Sequence, residues 1–585
     1  MNKKWEIREQ DNELTEEIAK KYNLSEITAK ILASKNLNDK ELEKYLNENG
    51  IGTVKHYPIP MHLQEAYKDL NPTRADFYNP FLMPDMNLAI ERIMEAIKNK
   101  ERIVVYGDYD ADGITSTTIL KRFFKDRGID IGTYIPNRLD EGYGLNQEAI
   151  RHIAEEGYKL MITVDCGITA IEEVKLAKEL GIDTIITDHH ETLDEIPDAI
   201  AVIDCKRKDN TYPFNQLAGC GVAFKLTQAL CIEMKLNENE ALKYLDIACV
   251  GTISDIVPLV DENRVIAKLG LKLVKQTKNL GLRSILQQSG YRKIDSNSIS
   301  FGVSPRINAC GRMGHQEDAL ELFLTDDPIE ARRLSQKLED FNKLRQETEK
   351  NIYQEALELI EKNKEDNNPC IVIGKEGWHH GVIGIVSSKI TEKYYKPSIL
   401  ICFEGEDSKG SGRSIQGFDL HEAAVKCSKH LKAYGGHSMA IGLSLKTNEF
   451  EDFKQEFEEY SKDKITADMV PELIIDEVVE KKDISINSVE ELNVLEPFGE
   501  ANNMPVFLYK GLKVLSIRSL SEGKHLKLTL QDDNVLIDTI GFNLGDLVDK
   551  YQIGDKLDVV GNLEVNEFNN IKRIQINIKD VMKSI

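Results

Sequence analysis

The chain has 585 residues, 41% of them hydrophobic and 30% charged, with a formal net charge of −23. Such a length exceeds what one hydrophobic core serves and predicts three or four domains. The acidity excludes a protein that coats nucleic acid through diffuse positive charge, while leaving room for a local basic groove.

No apolar run approaches the ~18 residues that a membrane span requires. The opening MNKKWEIREQDNELTEEIAKK lacks the apolar stretch of a signal peptide. Nine scattered cysteines with no C-x-x-C pair suggest neither a disulfide framework nor a zinc site. A reducing cytoplasm is the expected compartment.

Residues 14–48 read as two or three short helices. Residues 56–84, rich in Pro, Asn and aromatics, read as an irregular lead-in. Four β-branched runs follow at residues 103–106, 160–164, 184–187 and 200–203, with helix-period segments such as IEEVKLAKELG between them. Strand alternating with helix predicts a parallel sheet covered on both faces. After Pro328 a long helix is expected, in which Leu334, Leu338, Phe341, Thr348, Ile352 and Leu359 make one apolar stripe on a charged rod. A helix of that kind joins lobes. A second α/β segment runs from PCIVIGKEG to about Ser461.

Beyond Pro471 five strands are expected, LKVLSIRSL, HLKLTLQ, VLIDTIGF, KLDVVGNLEV and IKRIQINI, with the insert LGDLVDKY between the third and fourth. That placement reads as a small barrel of the oligonucleotide-binding kind. Lys510, Lys513, Lys524, Lys527, Lys572 and Arg573 give it local positive charge, and some are expected to line a groove for a strand. The predicted division is 1–77 (helical lead-in), 78–327 (catalytic α/β lobe), 328–363 (connecting helix), 364–465 (second α/β lobe) and 466–585 (barrel).

The acids sit at strand ends. Asp108, Asp110 and Asp112 follow the first run in VVYGDYDADG, Asp165 follows the second in TVDCG, and Asp188, His189 and His190 follow the third in IITDHH. In an open parallel sheet the carboxyl ends of the strands share one crevice, where ligands bind. Asp255, in GTISDIVPL, follows another apolar run and is a further candidate donor. A lone Asp after a strand is usually a turn or cap residue, but three such ends together exceed what caps require. Like charges so close need a cation among them. Carboxylates with imidazole and no thiolate suit Mn²⁺ or Mg²⁺, and there are donors enough for two ions, an arrangement suited to phosphoester hydrolysis.

DYDADG, VDCGI, DHH and SDIVPL, in that order, resemble the DHH phosphoesterase superfamily. PNRLDEGYGL, SPRINACGRMG, GWHHGVIGIVSSKI, SGRSI, YGGH and LEPFGEANNMPVF are similar to segments of the RecJ single-strand-specific exonucleases. The resemblance runs from about Leu24 to the barrel. It departs at ANNMP, where the family usually reads GNPxP. The chain ends at the barrel, where some relatives carry a further domain.

The resemblance implies that Asp110, Asp112, Asp165, His189 and Asp255 are metal ligands. Asp108 is a further ligand candidate, and His190 is a ligand, a supporting partner of one, or a group that stabilises phosphate charge. No protein nucleophile is expected; a water activated by the metals attacks phosphorus. Arg138 is expected to reach the crevice, and Tyr143 either stacks on a base or packs. Arg306 and Arg312, expected in a loop, either contact phosphate or form surface ion pairs. Ser411, Gly412 and Arg413 resemble the family's pocket for the terminal phosphate. His379, Gly435, Gly436 and His437 are family positions expected to face the cleft.

The implied function is a 5′→3′ exonuclease on single-stranded DNA that releases 5′-mononucleotides, in recombination and repair. It is expected to act as a monomer, with a helicase and a single-strand-binding protein as delivering partners and no membrane. The rivals are a DHH phosphodiesterase of short oligoribonucleotides or cyclic dinucleotides, a pyrophosphatase, and a non-catalytic replication scaffold. The barrel opposes the small-substrate rivals, and the filled ligand positions oppose the scaffold.

Overall fold

The structure, a computed structural model, describes residues 3–35, 77–480, 484–532, 535–568 and 571–584. The rest of the expected N-terminal helices and most of the lead-in lie outside these residues. The chain forms two compact units: the N-terminal segment with the C-terminal barrel, and the region between them.

In the first unit, strand β1 (Lys4–Ile7) is followed by helices α1 (Asn12–Tyr22) and α2 (Glu26–Ala33). Ile18, Tyr22, Ile27, Ile31 and Leu32 share one apolar cluster with the barrel residues Leu526, Leu528 and Leu557. The described N-terminal part of the helical lead-in expected for residues 1–77 thus packs on the barrel.

The second unit opens its catalytic sheet with β2 (Ile103–Gly107), β3 (Gly132–Tyr134), β4 (Leu160–Val164), β5 (Asp183–Asp188) and β6 (Ala201–Asp204). All pairings are parallel, in the order β3-β2-β4-β5-β6. The central strands are buried along their length, as a parallel sheet between helices demands. Gly107 pairs with Val164, Val164 with Thr187, and Asp188 with Asp204, so the carboxyl ends reach one edge together.

Helices α3 (Ala111–Lys125), α4 (Gly219–Glu233), α5 (Leu245–Ser254) and α6 (Ser304–Arg312) frame that edge. Two expectations change here. The run before Asp255 is helix α5, and SPRINACGR is helix α6, with Pro305 in its first turn, where a missing N–H costs nothing.

Helix α7 (Pro328–Asn363) is the expected connecting rod. Its Ala331, Leu334 and Leu338 join the catalytic core, and its Ile352, Ala356 and Ile360 join the core of the second lobe. That lobe pairs β7 (Ile371–Glu376) with β8 (Ser398–Glu404) in parallel, then β9 (Asp407–Arg413), β11 (Ala440–Lys446) and β10 (Leu431–His437) antiparallel. Helix α8 (His380–Tyr394) packs on it.

Returning to the first unit, β12 (Glu472–Ile475) pairs in parallel with β1, and β13 (Glu477–Val479) with the start of β14 (Phe507–Leu520). The strands β14, β15 (His525–Asp532), β16 (Val535–Gly541), β18 (Ile571–Lys583) and β17 (Lys556–Phe568) close through β14–β17. These are the five strands expected, with the insert as a 3₁₀ turn at Gly545–Asp549. The closed ring with a parallel β16–β18 pairing is an oligonucleotide-binding barrel.

Candidate active site

The D-x-D-x-D turn is built by its own acids. Asp110 caps α3, its Oδ1 accepting from the backbone N–H groups of Asp112 and Gly113. Asp112 is buried, and its two oxygens accept from the N–H groups of Gly219 and Cys220 at the start of α4 (2.6 and 2.9 Å). A helix N-terminus favours that negative charge. Two glycines make the approach feasible. A Cβ on Gly219 would stand 2.6 Å from Asp165 Oδ1, and one on Gly251 would stand 2.7 Å from Asp112 Oδ1. From α6, Asn308 Oδ1 accepts from the N–H of Ala111 at 2.8 Å, which holds the acidic turn from the other side.

Asp165 lies at φ 61°, a left-handed conformation that Asp tolerates better than most residues. The turn brings its carboxylate inward, 3.0 Å from His189 Nε2. His189 Nε2 is also 3.6 Å from Asp255 Oδ2 and 3.9 Å from Asp112 Oδ2. Ligand atoms of Asp108, Asp110 and Asp165 lie within 4.8 Å of one another. The same holds for Asp112, His189 and Asp255, and for Asp165, His189 and His190. All seven sequence-selected residues of the cradle are therefore brought together, with Asp165 shared by the first and third groups and His189 by the second and third.

Three of these atoms, Asp108 Oδ1, Asp165 Oδ1 and His189 Nε2, are buried without a hydrogen-bond partner among the described residues. Burial raises Asp108, Asp165 and Asp255 well above the ordinary carboxylate range, with neighbouring acids adding to it. Asp112 is pushed up to about 6 by burial and then by Asp110. His189 is lowered to about 3 by burial and then by His190, so its ring is neutral and has a lone pair to give. Buried acids and a neutral imidazole with orphaned donor atoms fit a pair of hard divalent cations.

His190 differs from His189. Burial works against its charge, yet the Asp188 carboxylate, 2.7 Å from Nδ1, outweighs that and raises it to about 9. Asp188 also accepts from the N–H groups of His189 and Ile168. The Tyr143 hydroxyl lies 3.2 Å from His190 Nδ1 and 3.4 Å from the Asp165 carbonyl, with the residue 53% exposed.

A second group of side chains collects between the catalytic sheet and the second lobe. Arg138 lies over the Tyr109 ring, 4.9 Å from its centroid. Arg312 Nη1 donates to the Gly381 carbonyl at 2.9 Å, and Lys409 Nζ to the Leu139 carbonyl at 3.3 Å. Burial and then the charges of Arg138, Arg345 and Arg413 pull Arg312 down to about 9. Arg413 is lowered by burial and Arg138, and its Nη1 donates to Ser411 Oγ at 3.2 Å. Gly384 lies where a Cβ would meet Ser411 Oγ at 2.9 Å. His379 caps α8, its Nδ1 accepting from Gly381 N–H. Such guanidinium groups, held close against mutual repulsion, suit a multiply charged anion.

Arg306 is nearly buried, pairing with Glu339 (2.7 Å) and the Gly302 carbonyl, and so fastens α6 to α7. Gly412 is packed between β8 and β11. Gly435, Gly436 and His437 lie exposed on β10. Gly436, at φ 140°, is required by its hairpin, since a Cβ would stand 2.2 Å from the Ala440 carbonyl oxygen. Sequence reasoning missed Asn308, Gly219, Gly251 and Asp204. Of these only Asp204 carried a usable signal, as a fourth acid at a strand end in IAVIDCK.

Family models match the chain in three places: the DHH family, N-terminal domain, over residues 102–252; the DHHA1 domain over 367–463; and the RecJ OB domain over 475–580. The single-stranded-DNA-specific exonuclease RecJ of Bacillus subtilis (strain 168) is 37% identical, across 99% of this chain and 71% of its own length. The chain belongs to the RecJ family. RecJ of Escherichia coli (strain K12) is 32% identical, across 84% of this chain and 89% of its own. The crystal structure of RecJ in complex with Mn²⁺ from Thermus thermophilus matches with a TM-score of 0.82 at 29% identity, covering 100% of this chain and 80% of that one. A model of the DegT/DnrJ/EryC1/StrS aminotransferase family also matches residues 6–81, whose described part includes α1 and α2, packed on the barrel. The DHH, DHHA1 and RecJ OB matches fall in order on the catalytic sheet, the second lobe and the barrel.

Proposed function

We propose that this chain is a Mn²⁺- or Mg²⁺-dependent exonuclease that shortens single-stranded DNA from its 5′ end, releases 5′-mononucleotides, and serves recombination and repair. The observation that carries the reading is the convergence of orphaned, buried donors from Asp108, Asp165 and His189 at the end of one parallel sheet. RecJ of Thermus thermophilus, which matches this chain over its whole length, is solved with Mn²⁺.

Asp108, Asp110 and Asp165 would hold one ion, and Asp112, His189 and Asp255 the other, with the Asp165 carboxylate beside both. The ions, when bound, make a potent nucleophile of water at neutral pH and neutralise charge on the phosphate. The protein's own part is to aim the carboxylates, keep His189 neutral, and keep His190 charged through Asp188 beside the substrate. Arg138, Arg312, Ser411 and Arg413 bind the terminal phosphate, and Tyr143 faces the first base.

Residues 78–327 thus carry the chemistry, 328–363 connect, 364–465 hold the chain end, and the barrel of 466–585, with the N-terminal segment packed on it, grips the strand. A helicase and a single-strand-binding protein deliver the substrate to a cytoplasmic monomer.

One experiment tests the reading. A 5′-labelled and a 3′-labelled oligonucleotide are each incubated with the protein and Mn²⁺, and the products are sized. Immediate release of labelled mononucleotide from the 5′ label, with a shrinking ladder from the 3′ label, is expected. The reverse pattern, or internal cuts, overturns it.

A further inference from the structure

Strands β5 and β6 end alike. Asp188 Oδ1 accepts from the N–H of His190 at 3.3 Å, and Asp204 Oδ1 accepts from the N–H of Lys206 at 2.7 Å. Asp188 and Asp204 are register partners. Two neighbouring parallel strands therefore close in matching turns, two residues long, and deliver His190 and Lys206 to the same edge of the crevice. Asp204, which anchors the second turn, is fully buried.

The Lys206 side chain, 27% exposed, follows the β6 end of the edge whose β5 end carries His189 and His190. It forms an ion pair with Glu191, at 3.1 Å, a side chain 86% exposed. A pair of that kind contributes little in water and is readily exchanged for a better anion. Charge balance supplies the anion. Asp108, Asp110, Asp112, Asp165 and Asp255 outweigh two divalent ions, and an incoming phosphodiester adds further negative charge. Arg138 follows β3 at one edge of the sheet, and Lys206 follows β6 at the other.

We propose that Lys206 binds a non-bridging oxygen of a substrate phosphate beside His190, so that cations at both edges of the sheet hold the strand across the cradle. The proposal rests on the exonuclease reading above and adds a substrate-binding residue to it.

The test uses the full chain with Mn²⁺ and a 5′-phosphorylated oligonucleotide. kcat and KM are measured across a KCl series for wild type, Lys206→Gln, Lys206→Arg and Glu191→Gln, and Mn²⁺ affinity is measured by calorimetry. Lys206→Gln is expected to lower kcat/KM roughly tenfold or more, the scale of one charge-assisted contact. It also reduces the slope of log kcat/KM on log salt by about 0.7, one phosphate contact on a single strand. Lys206→Arg restores most of both, Glu191→Gln leaves both near wild type, and Mn²⁺ affinity weakens in none. Wild-type kcat/KM and slope in Lys206→Gln overturn the proposal. So does a parallel loss in Glu191→Gln, which assigns the effect to the ion pair, or weakened Mn²⁺ binding in Lys206→Gln, which assigns it to the cradle. A wild-type chain that digests no single strand sinks the exonuclease reading itself.

Discussion

Asp165 Oδ1 and His189 Nε2 lie 3.0 Å apart, and neither atom makes a hydrogen bond among the described residues. Two buried donors that close and unsatisfied are costly unless a shared partner joins them. Asp165→Ala removes the carboxylate that belongs to the Asp108–Asp110 group and lies beside His189 of the other. It is expected to abolish hydrolysis while single-strand binding largely survives. Turnover above about a tenth of wild type at saturating Mn²⁺ contradicts the bridging role, since one lost metal-centred interaction exceeds ~1.4 kcal/mol.

The packing of α5 sets a second expectation. A Cβ on Gly251 would stand 2.2 Å from Thr115 Oγ1, 2.5 Å from Cys220 Sγ and 2.7 Å from Asp112 Oδ1. Gly251→Ala therefore displaces Asp112 from the start of α4 and overpacks a filled interior, at about 1–3 kcal/mol. Calorimetric titration should show weaker Mn²⁺ binding, and thermal melts a lower midpoint. Wild-type Mn²⁺ affinity in this variant means that the tight fit has no bearing on the cradle.

Metal binding and pH are linked through the same acids. Burial, then Asp110, raises Asp112 from 3.8 to about 6, and Asp108, Asp165 and Asp255 are raised well above 3.8. A raised carboxyl stabilises the fold fully below its unfolded value, and the contribution is lost as pH rises through the folded value. His190, which the Asp188 carboxylate raises from 6.5 to about 9 against its burial, acts likewise: its contribution is full below about 6.5 and lost as pH rises through about 9. His189, lowered to about 3, opposes them, losing stability as pH falls below 6.5. Metal-free protein should thus lose acid-linked stability above about pH 4, and Mn²⁺, which needs ionised ligands, should restore it. Thermal melts with EDTA and with Mn²⁺ at pH 5.5 and 8.5 check this. The Mn²⁺-induced rise in Tm is expected to be larger at pH 8.5, and equal rises contradict it.

Strands β2, β4, β5 and β6 were legible because their β-branched runs stop at acids or histidines, and the barrel because its strands alternate. The run before Asp255 misled because α5 is buried on every side, and without a polar face a helix and a buried strand share one pattern. SPRINACGR read as a loop from its Gly and Pro, though a Pro in the first turn is equally a helix start. The pairing of Lys4 with Glu472 joins distant segments, which local pattern does not encode. Asn308 and Gly219 were illegible for the same reason: each acts on a residue far away in the chain.

The barrel presents a face with a charge problem. Leu526, Leu528 and Leu530 point inward on β15, which turns His525, Lys527 and Thr529 outward. Arg518 of β14 is the register partner of Lys527, and neither has an ion-pair partner among the described residues. Like charges facing across a sheet are destabilising, and a phosphate chain relieves them. Phe542, 55% exposed, lies edge-on to His525 with ring centroids 5.3 Å apart, a surface on which bases stack. Lys572 pairs with Glu490, leaving it less free for a strand. Arg518→Ser with Lys527→Ser should weaken binding of long oligonucleotides and reduce its salt slope by up to about 1.4, at ~0.7 per phosphate. Unchanged affinity and slope place the strand on another face.

Direction requires recognition of a chain end, since the same metals otherwise cut anywhere along a strand. A terminal phosphate monoester carries more negative charge than an internal diester, so convergent cations distinguish the two. Arg413, bonded to Ser411 and repelled by Arg138, stands in the cluster of guanidinium groups beside the catalytic sheet. Arg413→Ala should lose the preference for 5′-phosphorylated over 5′-hydroxyl ends, mainly by slowing on the former. A charge-assisted contact of ~1.5–3 kcal/mol sets the scale, roughly ten- to a hundredfold. Initial rates on both substrates, for wild type and variant, measure it. Retention of the full wild-type ratio would falsify the pocket assignment, because the anion that Arg312 and Arg138 await would then be held without the residue best placed to complete its charge.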